Sequence, residues 1–231
     1  MKKLYPVIHV RSLEQALQNA KIAFDANCDG IFLINHENKD GIREILYPEL
    51  LTIHAAVHRR FPDWWIGLNC LDLPTADVFQ HLNPAVSGVW ADNGEIDESE
   101  PTQPKAQQIL NAKRASGWQG AYFGGVAFKY QRPVSNSAEA ARIGKEYIDI
   151  VTTSGRATGE TPSIEKIRRM KQAIDPRPLA IASGITPKNV DQYLTWADIF
   201  LVATGISSSF YELDIEKVRQ LSDIVHNWVS T

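Results

Sequence analysis

The chain has 231 residues, of which 44% are apolar and 22% are charged, and its net charge is −3. This composition is ordinary for a globular protein with one sizeable core, and the slight negative charge argues against a nucleic-acid-binding face. The apolar run after Lys2 and Lys3 is too short for a signal peptide and no segment approaches a membrane span, so we expect a cytoplasmic protein.

Eight short apolar runs predict β-strands, and helical spacing of apolar residues between them predicts eight helices. The predicted strands are Leu4–Val10, Gly30–Asn35, Trp65–Cys70, Ser87–Ala91, Ala121–Phe128, and the runs that begin at Asp149, Leu179 and Ile199. The predicted helices are about Leu13–Ala26, Pro48–Arg60, Thr75–Leu82, Lys105–Ser116 and Ser137–Tyr147, with three more that start near Ser163, Pro187 and Asp214.

The strict alternation of strands and helices predicts a parallel sheet. The strand Gly30–Asn35 is apolar without interruption, which is typical of parallel strands covered on both faces. Eight units favour a closed (βα)8 TIM barrel over an open doubly wound sheet, so we expect a single domain over residues 1–231. The acidic, proline-bearing stretch 92–104 is interpreted as a solvated loop rather than a domain boundary.

The last three predicted strands each end in a small hydroxyl residue followed by glycine, at Ser154-Gly155, Ser183-Gly184 and Thr204-Gly205. Glycine permits a sharp turn and leaves its N–H open to a ligand. In (βα)8 barrels the loops after strands 7 and 8 frequently form a phosphate site. We therefore predict an anion held by Ser183, Gly184, Ile185, Thr204 and Gly205, with a short extra helix at Ser207–Tyr211. The alternative is that these glycines only make turns.

Polar residues follow the other predicted strands, and in a barrel all carboxyl ends of the strands face one site. The candidate catalytic residues are Lys129, Asp92 and His9. Further candidates for substrate binding are Asn69, Glu37 and Thr153. The alternative is that each strand simply becomes polar where it meets water.

Lys129 follows the small and apolar run Gly124–Phe128, so its stem is expected to be half-buried. One hypothesis is a partner for phosphate or carbonyl oxygen, or an amine with a lowered pKa. The other is a lysine that extends to the rim. The loop Ser154–Gly159, with a glycine near each end, is either flexible or a mobile lid over the site.

Cys28 and Cys70 are too few for a structural zinc site and favour buried free thiols, with a disulfide between them as the alternative. No cofactor is required by the sequence, although some of Glu37, Asp72 and Asp92 could hold a divalent cation such as Mg²⁺. His54 and His58 stand four residues apart on the second predicted helix and are expected on the outer surface. A homo-oligomer is compatible with the sequence.

Three stretches carry a resemblance to a known family: Gly67–Asn69, Val151–Gly159 and Ala182–Val190. They resemble the BtpA/SgcQ family of TIM-barrel proteins, and Phe128-Lys129 and Cys28–Gly30 fit as well. That family is similar to the ribulose-phosphate-binding barrels, which hold phosphate at the loops of strands 7 and 8. Some of its members carry the name phosphoribosyltransferase, and others are linked to photosystem I biogenesis.

The chain departs from the family pattern in two places. Arg11–Glu14 runs straight into a helix where the family tends to a proline- and glycine-rich loop, and Ser207–Tyr211 replaces a lysine-containing segment. Both departures lie at the predicted substrate mouth.

Taken together, the residues favour an enzyme that acts on a small phosphorylated metabolite, a phosphosugar or phosphoribosyl compound. Isomerase, lyase and transferase chemistry all stay open. The alternative is a non-catalytic assembly or biogenesis factor, of the photosystem I type, on a barrel scaffold.

Overall fold

The computed structural model describes residues 2–37 and 40–229, and its eight parallel strands close into a barrel. Each strand pairs with the next, and β1 pairs with β8 with Leu4 opposite Phe200. The strands are β1 (Lys3–His9), β2 (Gly30–Ile34), β3 (Trp65–Asn69), β4 (Gly88–Ala91), β5 (Ala121–Gly125), β6 (Ile150–Thr153), β7 (Leu179–Ala182) and β8 (Ile199–Val202). The predicted TIM barrel is confirmed.

Within the described residues, seven α-helices alternate with the strands. They are α1 (Leu13–Asp25), α2 (Tyr47–Arg60), α3 (Thr75–Val78), α4 (Pro104–Ser116), α5 (Ser137–Gly144), α6 (Ile164–Ile174) and α7 (Ile215–His226), and a 3-10 turn at Phe79–His81 extends α3. The helix predicted near Pro187 is wrong, because only a 3-10 turn at Val190–Gln192 forms there. Asn189 accepts a hydrogen bond from the Thr186 N–H and donates one to the Gly184 carbonyl, so local bonds replace the helix.

The extra helix predicted at Ser207–Tyr211 is also wrong. The 3-10 turn lies earlier, at Thr204–Ile206, and the chain then extends and forms an antiparallel bridge to Leu213. The backbone N–H and the hydroxyl of Ser208 both donate to the Glu212 carbonyl. Such bonds from serine side chains compete with helix formation.

Two apolar layers hold the barrel together. Aromatic side chains fill its interior, and Tyr5 stacks on Trp65 with ring centroids 4.4 Å apart, beside Phe32 and Phe123. Mainly aliphatic side chains, with aromatic rings such as Phe79 and Phe200 among them, fill the second layer between strands and helices. Each of the eight apolar runs that predict the strands places a buried side chain in these layers, namely Val7, Ile34, Leu68, Val89, Val126, Val151, Ile181 and Val202.

A polar side chain immediately before each even-numbered strand caps the odd-numbered strand that precedes it. In every case its oxygen accepts a hydrogen bond from a backbone N–H at the start of that strand. The four pairs are Asp29 with Leu4 (2.8 Å), Ser87 with Ile66 (3.2 Å), Asp149 with Tyr122 (2.7 Å) and Asp198 with Leu179 (3.0 Å). The caps satisfy backbone donors at the amino end of the barrel and fix the register of each strand pair.

The expected surface position of His54 is wrong, since its side chain is fully buried between α2 and the sheet. Its Nε2 donates to the Ile66 carbonyl at 3.2 Å, and Nδ1 has no partner among the described residues. Burial lowers the pKa of His54 to about 4. The helix face that it occupies points to the sheet because Leu50, Ile53 and Val57 are buried on the same side.

Two further predictions concern the cysteines and membrane spans. Cys28 and Cys70 are both buried free thiols, as predicted. None of the helices in the part of the chain that the structure describes is long and apolar enough to cross a membrane.

Candidate active site

A cavity of about 330 Å³ opens at the carboxyl end of the barrel. It brings together eight of the eleven site residues predicted from the sequence: His9, Asp92, Lys129, Ser183, Gly184, Ile185, Thr204 and Gly205. They come from the ends of β1, β4, β5, β7 and β8, which meet here because all strands run in the same direction.

The other three predicted residues do not line this cavity. Glu37 forms an ion pair with Arg43 at 3.0 Å, outside it. Thr153 is buried and its hydroxyl donates to the Ala127 carbonyl at 3.2 Å. Asn69 lies behind the cavity wall, where it contacts Asp92.

Asp92 is held by the side chain of Asn69, whose Nδ2 donates to Asp92 Oδ1 at 3.0 Å. Burial raises the pKa of Asp92, and Lys129, the Asn69 hydrogen bond and His36 each oppose that rise. A carboxyl with a raised pKa and a nearby cation is suited to give and take a proton.

His9 stands opposite, with its ring stacked on Phe210 at a centroid distance of 4.2 Å and an interplanar angle of 1°. Burial lowers the pKa of His9 to about 4, so the imidazole is neutral near pH 7. Its Nδ1 lies 2.9 Å from the Phe210 carbonyl. Because a carbonyl only accepts, Nδ1 carries the proton and Nε2 is left as an acceptor.

Lys129 is half-buried, as its sequence context predicted. Its backbone N–H donates to the Ser154 hydroxyl at 2.8 Å, and its Nζ donates to the Thr158 hydroxyl at 3.2 Å. The ammonium therefore lies between the cavity and the loop after β6.

The loops after β7 and β8 present backbone donors beside the cavity. Within the described residues, the N–H groups of Gly184, Ile185, Thr204 and Gly205 donate to no protein acceptor. A Cβ added at Gly205 would lie closer than 3.0 Å to the Ile185 carbonyl oxygen, so this glycine also lets the two loops pack. Gly205 thus packs the two loops together and also leaves its N–H without a protein acceptor.

Ser183 has a backbone φ of +113°, a conformation that non-glycine residues rarely adopt. Its hydroxyl accepts from the Gly159 N–H at 3.1 Å and donates to the Ala157 carbonyl at 3.3 Å. The strained residue thus ties the loop Ser154–Gly159 across the mouth. This is the segment that the sequence indicated as a flexible loop or a lid.

Sequence reasoning missed three aromatic residues of the cavity: Trp90, Tyr130 and Phe210. The Trp90 Nε1 is buried without a partner in the described part of the chain. Tyr130 has a φ of +60° and hydrogen bonds to Thr158 at 3.3 Å. The position of Tyr130 beside Lys129 was the one available signal.

A larger cavity, about 1070 Å³, lies alongside, between the loops after β5 and β6 and the start of α6. Its buried cation, Lys166, donates to the carbonyls of Ala127 and Ser154 at 2.5 and 2.7 Å. Burial lowers the pKa of Lys166 to about 8. Because this ammonium already holds two loops together, we place the candidate active site in the smaller cavity.

The three carboxylates considered for a divalent cation have different surroundings. Asp72 accepts hydrogen bonds from the Asn35 side chain and the Tyr47 backbone, and Glu37 pairs with Arg43. In residues 2–37 and 40–229, no group of three His, Cys, Asp or Glu side chains is placed to hold a metal ion. That some of these carboxylates hold a divalent cation such as Mg²⁺ stays a prediction, which a metal titration would test.

Known proteins resemble this chain in sequence or in fold. An uncharacterised protein of Pyrococcus furiosus is 25% identical over 213 residues, which cover 85% of this chain and 78% of that protein. Phosphoribosyl anthranilate isomerase from Thermus thermophilus superimposes with a TM-score of 0.64 at 18% identity, covering 95% of this chain and 96% of that one.

A second solved structure is (S)-3-O-geranylgeranylglyceryl phosphate synthase from Thermoplasma acidophilum, in complex with its substrate sn-glycerol-1-phosphate. It superimposes with a TM-score of 0.66 at 14% identity, covering 97% of this chain and 93% of that one. At these identities the likeness to both solved structures concerns the fold.

A family model matches residues 95–227, more than half of the chain. The matched part contains β5 to β8 and the loops that carry Lys129, Ser183 and Gly205. It therefore includes two of the three stretches that carry the resemblance in the sequence, Val151–Gly159 and Ala182–Val190. The protein belongs to the BtpA family.

Proposed function

We propose that the protein is an enzyme acting on a small phosphorylated metabolite, a phosphosugar or phosphoribosyl compound, bound at the loops after β7 and β8. The observation that carries this proposal is the set of unpaired N–H groups at Gly184, Ile185, Thr204 and Gly205 beside the cavity. Clustered backbone N–H groups attract anions. The two solved enzymes described above share this fold and are both named after phosphorylated compounds, which agrees with the proposal.

The same cavity holds the groups that proton-transfer chemistry needs. Asp92 supplies a carboxyl with a raised pKa, His9 supplies a neutral acceptor at Nε2, and Lys129 supplies positive charge. A substrate anchored by its phosphate would present its carbon chain to all three. This arrangement supports isomerase, lyase or transferase chemistry. A scaffold used only for assembly has no need of an acid, an acceptor and a cation in one cavity.

Ribose 5-phosphate is expected to raise the melting temperature of the wild-type protein, and Thr204→Glu is expected to abolish this rise. Ligand at a hundredfold excess over its Kd stabilises by about 2.7 kcal/mol, which corresponds to several degrees for a chain of this size. Thr204 is exposed, so both charged and neutral side chains fit there. The carboxylate would repel the phosphate, whereas the control Thr204→Gln has nearly the same size without the charge.

This prediction is tested by measuring the melting temperatures of wild type and the Thr204 variants with inorganic phosphate and with ribose 5-phosphate. Equal shifts for wild type and Thr204→Glu would mean that the anion binds elsewhere. No shift of the wild-type protein with either compound would contradict the proposed function and favour the assembly-factor alternative.

Lys129→Ala is expected to weaken ribose 5-phosphate binding by roughly tenfold or more, because it removes a cation from the cavity. Lys188→Ala serves as the control, since Lys188 is exposed on the loop after β7 and does not line the cavity. Both variants change the net charge equally. Titration calorimetry compares their affinities, and equal affinities would remove Lys129 from the site.

A further inference from the structure

Two exposed aromatic side chains stand at the rim of the candidate active site. Tyr130 is 76% exposed and Phe210 is 42% exposed, and both line the 330 Å³ cavity. Large apolar rings exposed around a polar cavity are candidates for ligand contact, because each ring could bury its face against a bound molecule.

Phe210 is fixed in place rather than free to move. One face of its ring stacks on His9, and its ring makes a T-shaped contact with the His36 ring at a centroid distance of 5.4 Å. The Phe210 carbonyl accepts the His9 Nδ1–H. The side chain is therefore preorganised, and a ligand that stacks on it would cost little ordering entropy.

Tyr130 is also held in position, at some cost to the backbone. Its φ of +60° is a genuine outlier for a bulky residue, and such strain persists where function or packing requires it. The Tyr130 hydroxyl donates to the Thr158 side chain and accepts from the Thr158 N–H, both at 3.3 Å. The Lys129 Nζ lies 5.9 Å from the centre of the ring.

The unpaired N–H groups directly follow their strands, β7 and β8, whereas the two aromatic rings, Phe210 and Tyr130, stand further along the loops after β8 and β5, at the exposed rim. A ligand that satisfies both parts has a phosphate at one end and a flat apolar group at the other. A short sugar between them would pass Asp92 and Lys129.

We infer that the substrate is a phosphorylated sugar that carries a planar ring, which packs against Phe210 and Tyr130 at the rim. This inference rests on the proposed function and narrows its substrate class. A planar group stacked on a preorganised aromatic ring adds affinity that a bare phosphosugar lacks.

The test compares ribose 5-phosphate with adenosine 5′-monophosphate, which adds a planar base to the same phosphorylated sugar. Titration calorimetry is expected to show that wild-type protein binds the nucleotide about tenfold more tightly than the phosphosugar. Phe210→Leu and Tyr130→Leu keep apolar bulk without a ring. Each is expected to reduce nucleotide affinity several-fold while changing ribose 5-phosphate affinity by less than about twofold. Phe24→Leu is the matched control, because Phe24 is 46% exposed on α1 and lies outside the cavity.

The outcomes separate this inference from the proposed function. If ribose 5-phosphate binds but the base adds no affinity, the ring inference is overturned and the proposed function stands. If the nucleotide is preferred equally by wild type and both rim variants, the ring binds elsewhere and the inference is overturned as well. If neither compound binds wild-type protein, the proposed function itself fails.

Discussion

Gly205→Val is expected to destabilise the protein by more than about 3 kcal/mol or to prevent its folding. The added Cβ would lie closer than 3.0 Å to the Ile185 carbonyl oxygen. That oxygen belongs to the backbone of a buried residue, so no rotamer change can relieve the overlap. The φ of Gly205 is not positive, so the expected cost comes from the overlap with the neighbouring carbonyl and not from backbone strain.

Gly117→Ala is the matched control, because it introduces backbone strain without a steric overlap between the new Cβ and its neighbours. Gly117 has a φ of +70°, and a Cβ there would meet nothing within 4 Å. Its expected cost is about 1 kcal/mol. Urea unfolding compares the two variants with wild type. Similar stabilities for Gly205→Val and Gly117→Ala would show that the loops after β7 and β8 move apart freely.

The free energy of unfolding is expected to fall by roughly 3 kcal/mol between about pH 7 and pH 4 because of His54 alone. Burial lowers its pKa from 6.5 to about 4 in the folded protein. The unfolded chain therefore binds a proton first as the pH falls. The contribution is fully present above pH 6.5 and is lost progressively as the pH approaches 4.

His54→Gln is expected to flatten this pH dependence, since glutamine can still donate to the Ile66 carbonyl but does not titrate. His81→Gln removes an exposed histidine that lies outside α2 and serves as the control. Urea unfolding curves across the pH range give the slopes. An unchanged slope for His54→Gln would assign the acid sensitivity to other groups, among them His9, whose pKa is also lowered to about 4.

The strands could be predicted from the sequence because each is an apolar run covered on both faces. The predicted boundaries and elements were wrong where the chain turns back after a strand. The predicted fifth strand continued through apolar Val126 to Phe128, but the strand ends at Gly125 and Ala127 turns with a φ of +49°. The helix near Pro187 failed because Asn189 bonds to its own loop.

The polar members of the candidate site could be predicted because they directly follow strands whose ends must converge. The rim could not be predicted in the same way. Tyr130 is placed by a positive φ and Phe210 by stacking on His9, and neither effect can be read from the sequence. The position of Tyr130 beside Lys129 was the one signal available. Asn69 also ends a strand, yet it does not line the cavity itself and instead donates a hydrogen bond to the cavity-lining carboxyl of Asp92.

The four capping side chains at the amino end imply a modular barrel. Asp29, Ser87, Asp149 and Asp198 each lock one odd strand to its even neighbour, so the smallest piece with its own register control is a quarter-barrel of two strands. Chain termini moved to the loops between quarters, by circular permutation, would leave all four locks intact. Termini placed between the two strands of one pair would separate a strand from the side chain that caps it. The loops between the strand pairs are therefore the preferred sites for new termini.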